Sequence, residues 1–164
     1  MKKLIILTIL SSSILATTNN KLLLDWTNQN ITQLVKFSYF HDENKYWDNF
    51  KNIFTNQGWQ NFQHDIKDAR TIGLIKKYQL TCQLEIDKEH ESIQKINNNS
   101  WQINTVALIT YAGEKTASKY KSKIKIIITK NNNKILIDKF NFIATEFIKQ
   151  TKIYPRGCNL RKYK

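Results

Sequence analysis

The sequence predicts an α+β domain, with helices first and then an antiparallel meander whose inner face they cover. Three observations carry this. Apolar residues recur at helical spacing up to about residue 75 and then switch to alternation at every second position. Two asparagine triplets, Asn97-Asn98-Asn99 and Asn131-Asn132-Asn133, sit between apolar-rich runs, where hairpin turns belong. Glycine and proline number only 4 and 1, so most of the chain lies in regular elements, and asparagine takes left-handed turn positions that glycine would otherwise fill. With 41% apolar and 12% aromatic residues in 164, the chain can bury a core, which excludes a disordered protein.

The elements follow in order. Lys2 and Lys3 precede an apolar run from Leu4 to Leu15, interrupted by Thr8 and Ser11-Ser12-Ser13. A charged start, a short apolar stretch and small residues after it read as a secretory signal peptide over residues 1–18, cleaved near Ala16 to Thr18. As a helix, that run reaches about 18 Å against a hydrocarbon core of roughly 30 Å. The alternative is an uncleaved inner-membrane anchor extended by Leu22-Leu23-Leu24, which would draw Asn19-Asn20-Lys21 into the bilayer.

Asp25 or Thr27 is the expected cap of the next helix, whose apolar face is Ile31, Leu34, Val35 and Ser38. Another, capped by Asp42 or Asn44, places Tyr46, Trp47, Phe50, Ile53 and Phe54 at helical spacing. A helix capped by Thr55 follows, then a short one over Ala69 to Ile75. Five strands are expected after that. Tyr78 to Ile86 puts Tyr78, Leu80, Cys82, Leu84 and Ile86 on one face; the others run near Ser92 to Ile96, Trp101 to Tyr111, Ala117 to Thr129 and Lys134 to Ala144. The predicted layout is therefore one domain over residues 19–148 and a basic tail over 149–164.

One stretch is more specific than the rest: Phe54-Thr55-Asn56-Gln57-Gly58-Trp59-Gln60-Asn61-Phe62. Thr55 is a good N-cap, because its hydroxyl can accept a free backbone N–H of the first turn. Counted from that cap, Phe54 and Trp59 occupy the two positions of a hydrophobic staple, which fixes how the chain enters the helix. Gly58 is poor for helix propensity, which implies that something packs closely against the first turn. Trp59, Phe62 and Ile66 continue along one face. The set Trp26, Trp47, Trp59, Phe50 and Phe62 is expected in the core.

This segment resembles the signature of the DotI/IcmL family of type IVB secretion and related conjugation systems, with Phe54, Thr55, Gly58, Trp59 and Phe62 as the motif residues. Other pieces match in the same order: Phe37-Ser38-Tyr39-Phe40, Asn44-Lys45-Tyr46, Trp101-Gln102-Ile103 with Tyr111, and the closing run from Lys134 to Ala144. The resemblance covers roughly residues 25 to 145. It departs from the family at Ala107, where a proline is expected, and in lacking a long transmembrane helix. It implies an NTF2-like fold in the periplasm. The element order alone also permits a cystatin-like or other α+β sandwich.

The remaining candidate residues each have a plainer role beside the functional one. Lys119, Lys121, Lys123 and Lys125 alternate along one strand, with Tyr120, Ser122, Ile124 and Ile126 on its other side. They read as a solvated face beside the acidic side of the first strand, or as a docking surface for an acidic partner or anionic headgroups. The tail carries Lys149, Lys152, Arg156, Arg161, Lys162 and Lys164 with Tyr154 and Tyr163, but no nucleic-acid motif accompanies them. The net charge of +13 is partly a consequence of a Lys-, Asn- and Ile-rich composition.

Cys82 and Cys158 are the only cysteines, an even count that favours a disulfide in an exported chain. Closing a loop of roughly 75 residues would stabilise by about 4 kcal/mol in the chain-entropy model. The alternative is a buried Cys82 and a free Cys158. The cluster Glu85, Asp87, Glu89, His90 and Glu91 matches no metal-binding loop, and His41-Asp42 and His64-Asp65 lie beside no nucleophile motif. The expected function is a non-enzymatic periplasmic interaction module, without cofactor, metal or catalytic residues. By the resemblance its partners are envelope proteins of a secretion or conjugation apparatus, or a paralogue. The alternatives are a small-ligand-binding or enzymatic NTF2-like protein, or a secreted derivative. An open cone with converging polar groups would favour a ligand, and aromatic filling a scaffold.

Overall fold

The change from helical to alternating spacing falls between Lys77 and Thr81, where the last helix ends and the first strand begins. A computed structural model describes residues 4–68 and 71–152. Its helices are α1 (Leu4–Val35), α2 (Glu43–Asp48), α3 (Asn56–Asp68) and α4 (Thr71–Lys77), with a 3-10 turn over Lys51–Ile53. Its strands are β1 (Thr81–Asn97), β2 (Ser100–Ala112), β3 (Thr116–Asn131) and β4 (Lys134–Lys152), in one antiparallel sheet of order β1-β2-β3-β4.

Neither Asp25 nor Thr27 caps a helix, because α1 runs unbroken through both. The Thr27 hydroxyl donates instead to the Leu23 carbonyl at 2.8 Å, one turn back, so it is satisfied in a helix interior and fully buried. Leu23, Thr27, Ile31 and Leu34 form the buried stripe of α1. Asp42 does cap α2, accepting the Lys45 N–H at 3.1 Å; Asn44 lies inside the helix. The expected long second helix stops at Asp48, and Phe50 and Ile53 reach the core through the 3-10 turn.

Four strands form where five were expected. The first two are one strand, β1, interrupted between Asp87 and Ser92. Four residues of β1 there face one of β2, so the ladder resumes on the same partner after an excursion. Tyr78 and Leu80 precede β1 in a turn that includes Gln79 at φ 51°, and Tyr78 is exposed. The Asn132 and Asn133 turn has φ 45° and 64°, the left-handed pair of a two-residue hairpin. At the far end β4 continues through Lys149 and Lys152, so the strand extends past the expected domain limit.

The inner face of the sheet carries Cys82 and Leu84 from β1, Trp101, Ile103, Ala107 and Ile109 from β2, Ile124, Ile126 and Ile128 from β3, and Ile137 and Phe140 from β4. The helices lie on this face. Three register shifts leave Asp138, Ile143 and Ile148 of β4 as extra residues opposite β3, which bends the strand and curls the sheet. The Phe37–Tyr39 segment extends the β1 edge: the Cys82 N–H donates to the Phe37 carbonyl at 2.7 Å, and the Tyr39 N–H to the Leu80 carbonyl at 3.0 Å.

Candidate functional site

The Phe54–Phe62 motif is the clamp that joins helices to sheet. Gly58 N–H donates to Thr55 Oγ1 at 2.9 Å, the expected cap. The same hydroxyl donates to Asp138 Oδ1 at 2.8 Å, so one side chain caps α3 and ties it to β4. The Thr55 N–H donates to the Ile137 carbonyl at 2.9 Å, and Phe54 forms a parallel bridge with Ile137. Phe54 and Trp59 pack as the staple, with ring centroids 5.6 Å apart, and Phe62 stacks on Phe54 at 5.0 Å. A Cβ on Gly58 would lie 2.4 Å from the Ile137 carbonyl oxygen, so the close neighbour that its glycine implied is the β4 backbone. The Asp138 partner left no local signal, standing 83 residues from Thr55.

The outer face of the sheet carries the lysines. In β3–β4 register, Lys119 faces Lys149, Lys121 faces Glu146, Lys123 faces Ala144 and Lys125 faces Asn141. On the β2 side they face Thr110, Leu108, Val106 and Asn104. The acids Glu85 and Asp87 stand one strand further, opposite Leu108 and Val106. The expected acidic neighbour is therefore not adjacent: β2 separates it from the lysines by two strand spacings, about 10 Å. That is close to the screening length at physiological salt. Among the described residues the ion pairs are Lys76 with Glu43, His90 with Asp87 and His64 with Asp65, none on the stripe.

The acidic cluster is pulled apart by the β1 excursion. Asp87 pairs with His90 at 2.8 Å. Glu91 swings towards α1, where Oε1 accepts the Asn28 side-chain N–H at 2.6 Å. Burial raises the Glu91 carboxyl, and the Asn28 donor opposes this. Among the described residues no three His, Cys, Asp or Glu groups converge as metal ligands would. His41 serves the fold, its Nδ1 accepting the Ser38 N–H at 3.0 Å.

Between the helices and the open end of the sheet lies a cleft of about 1550 Å³. Part of its lining is an aromatic cluster: Phe37 stacks on Trp47 at 5.1 Å, and Trp47 meets Phe62 edge-on at 5.6 Å. The same cleft is also lined by Cys82, Tyr111, Ser118, Tyr120, Phe142 and Gln150. The lining thus combines an aromatic cluster with the hydroxyl groups of Tyr111, Ser118 and Tyr120, a cavity that periodicity alone did not reveal. Cys82 is buried beside Tyr111. Cys158 lies outside the described residues, as do Tyr154, Arg156, Arg161, Lys162, Tyr163 and Lys164 of the tail.

Burial pushes the Cys82 thiol from 9.0 to about 12 and Tyr46 from 10.0 to about 12, and it also raises Tyr111. These groups fold in their neutral forms. Their contribution to stability is complete below their ordinary values and is lost as pH rises through the raised ones. In reduced protein, the urea midpoint should hold to about pH 9 and fall between there and pH 12, with a shallower fall in Tyr111→Phe. An equally steep fall in that variant would mean that Tyr111 is not among the groups responsible.

The fold and its surfaces define a class: a curved-sheet α+β module with a helix clamp, a basic outer face and a cleft at one end. The family model of the DotI/IcmL proteins, inner-membrane complex components of the type IVb secretion system, matches residues 3–145, and the chain belongs to that family. The match starts well before residue 25, so it takes in much of α1 as well. Among solved structures, the chain is similar to an IcmL-like type IV secretion system protein from Legionella pneumophila, with 14% identity over 82% of this chain and 94% of that one and a TM-score of 0.67. It is also similar to the periplasmic domain of DotI, with 18% identity over 73% of this chain and 91% of that one and a TM-score of 0.66. The shared fold is NTF2-like, as the resemblance implied. No curated protein matches the chain in sequence. Among the described residues no helix is long and apolar enough to cross a membrane.

Proposed function

We propose that the chain is a non-enzymatic docking module of a type IVB secretion or conjugation apparatus. It works on the periplasmic side, with residues 1–18 directing its export. The lysine face of β3 holds an acidic envelope partner. The observation that carries this reading is the isolation of that face: four lysines with uncharged β2 neighbours on one side and only Glu146 as an acid opposite them on the other. Carbon stems of such lysines can also cover Val106 and Leu108 while the ammonium groups stay in water.

Changing Lys119, Lys121, Lys123 and Lys125 to glutamate together reverses the face by eight charges. The core should be untouched, because Ser122, Ile124 and Ile126 point to the other side. The variant should fold and lose an acidic partner that co-purifies with the wild type after crosslinking in envelope fractions. Wild-type binding should weaken between low and physiological salt, as exposed charges are screened over about 8–10 Å. Retention of every wild-type partner at both ionic strengths would show the stripe to be a solvated face.

A second reading rests on the cleft. Tyr111, Tyr120 and Ser118 on its lining suit a small, mostly apolar ligand. Native mass spectrometry of protein purified from its own cells would show a bound small molecule if this reading holds, and the bare chain mass if it does not.

A further inference from the structure

We propose that a second pocket, between α1 and the two asparagine turns, binds an acidic sugar: a saccharide ring that carries a carboxylate or a phosphate. The pocket holds about 540 Å³, within the roughly 300–1,000 Å³ usual for small-ligand sites. Asn98 and Asn99 of the β1–β2 turn, Asn132 and Asn133 of the β3–β4 turn, and Asn19 of α1 line it. Lys95 and Lys130 line it too, and among the described residues no Asp or Glu does. The two lysines stand where the fold ordinarily places apolar side chains. Lys95 is directly opposite Trp101, and residues directly opposite share a face. Lys130 follows Ile126 and Ile128 at every second position. Both therefore belong to the face of the sheet that carries the core, where a charged residue needs a reason beyond solubility.

The turns are fixed before any ligand arrives. The Asn99 carbonyl accepts the Lys130 N–H at 2.7 Å and the Thr129 hydroxyl at 3.1 Å, which ties one turn to the other hairpin. Asn97 Oδ1 accepts the Asn99 N–H at 2.9 Å. The side chains of Asn98, Asn132, Asn133, Lys95 and Lys130, by contrast, make no hydrogen bond or ion pair to another described residue. Trp101 also lines the pocket and is only 7% exposed, yet its indole N–H has no partner among the described residues, a donor left for an occupant. These groups select the chemistry of the ligand. An amide side chain offers a donor and an acceptor together, the pair that neighbouring sugar hydroxyls need. Ammonium groups favour an anion. The amide oxygens gain nothing from a bare anion, so the occupant has to bring hydroxyl groups as well. Leu23, Trp101 and Ile135 give the C–H side of a ring an apolar surface.

Titration of the isotope-labelled protein with glucuronate, glucose-6-phosphate, glucose and inorganic phosphate, followed by the NMR signals of side-chain amide and indole N–H groups, tests this. Glucuronate or glucose-6-phosphate should shift the Trp101 indole and the asparagine side-chain signals saturably, and the tighter of the two identifies the anion. Glucose and inorganic phosphate should each bind about tenfold more weakly, since each lacks one half of the chemistry. Lys95→Gln combined with Lys130→Gln should weaken binding of the acidic sugar by about tenfold or more. The urea midpoint of that variant should be unchanged, because both side chains are exposed. No saturable shift with either acidic sugar, inorganic phosphate binding as tightly as the better of the two, or a double variant that binds as the wild type does would each overturn the proposal.

Discussion

Trp59→Ala should destabilise the domain by about 3–5 kcal/mol, the usual range for truncating a buried tryptophan. Trp59 is only 6% exposed, and it packs against Phe54 at 5.6 Å and Phe62 at 5.9 Å. Removing it opens a void beside Phe54 and Phe62 and also breaks the staple that sets the entry of α3. Thr55→Ala is the internal comparison. It loses the cap and the bond to Asp138 but little volume, and should cost nearer 1–2 kcal/mol. Urea melts of both variants check the order. Equal small losses would mean that the motif contributes little to folding and is kept as a binding surface.

Gly58→Ala should also be destabilising, against the ordinary preference of helices. In an exposed helix interior that exchange gains about 1 kcal/mol. Here the added methyl would meet the Ile137 carbonyl oxygen at 2.4 Å and the Asp138 carbonyl oxygen at 2.9 Å. Both are backbone atoms of a paired strand, and neither can turn aside as a flexible side chain would. The forced separation of α3 from β4 should outweigh the propensity gain and leave a net loss of about 1–3 kcal/mol. Gly73, which has nothing within 4 Å of its Cβ position, is the control. Gly73→Ala should be neutral or stabilising in the same melts. A stabilising Gly58→Ala would show that the first turn of α3 stands off the strand.

The motif was legible because cap, staple and close approach are local: Thr55, Phe54, Trp59 and Gly58 stand within five residues, and each has a short-range cause. The asparagine turns were legible for the same reason. Thr27 does not mark the start of a helix, because its hydroxyl is as well satisfied on the Leu23 carbonyl as at a cap. The spacing suggests two strands where β1 is one, because its excursion at residues 88–91 is polar and breaks the alternation, while pairing with β2 resumes beyond it. The lysine stripe could be placed on one face from its period, but its neighbours depend on strand order, which spacing does not encode. The cleft depends on how far the sheet curls, and that is set by single extra residues in β4 that look like any others in the sequence.

Those extra residues have a second effect. β4 closes the sheet on one side, and among the described residues only its start is bridged, by Phe54 at Ile137. Beyond that, Phe142, Ile143, Phe147 and Ile148 stand exposed among the described residues. A straight, two-residue repeat of such side chains would offer a neighbouring molecule a ready template for indefinite stacking. Asp138, Ile143 and Ile148 each break the repeat, so no long stretch of amide and carbonyl groups lies in line. Deleting Ile143 would join two short regular stretches into one, and its cost should appear as fibrous aggregation at high concentration more than as lost folding stability.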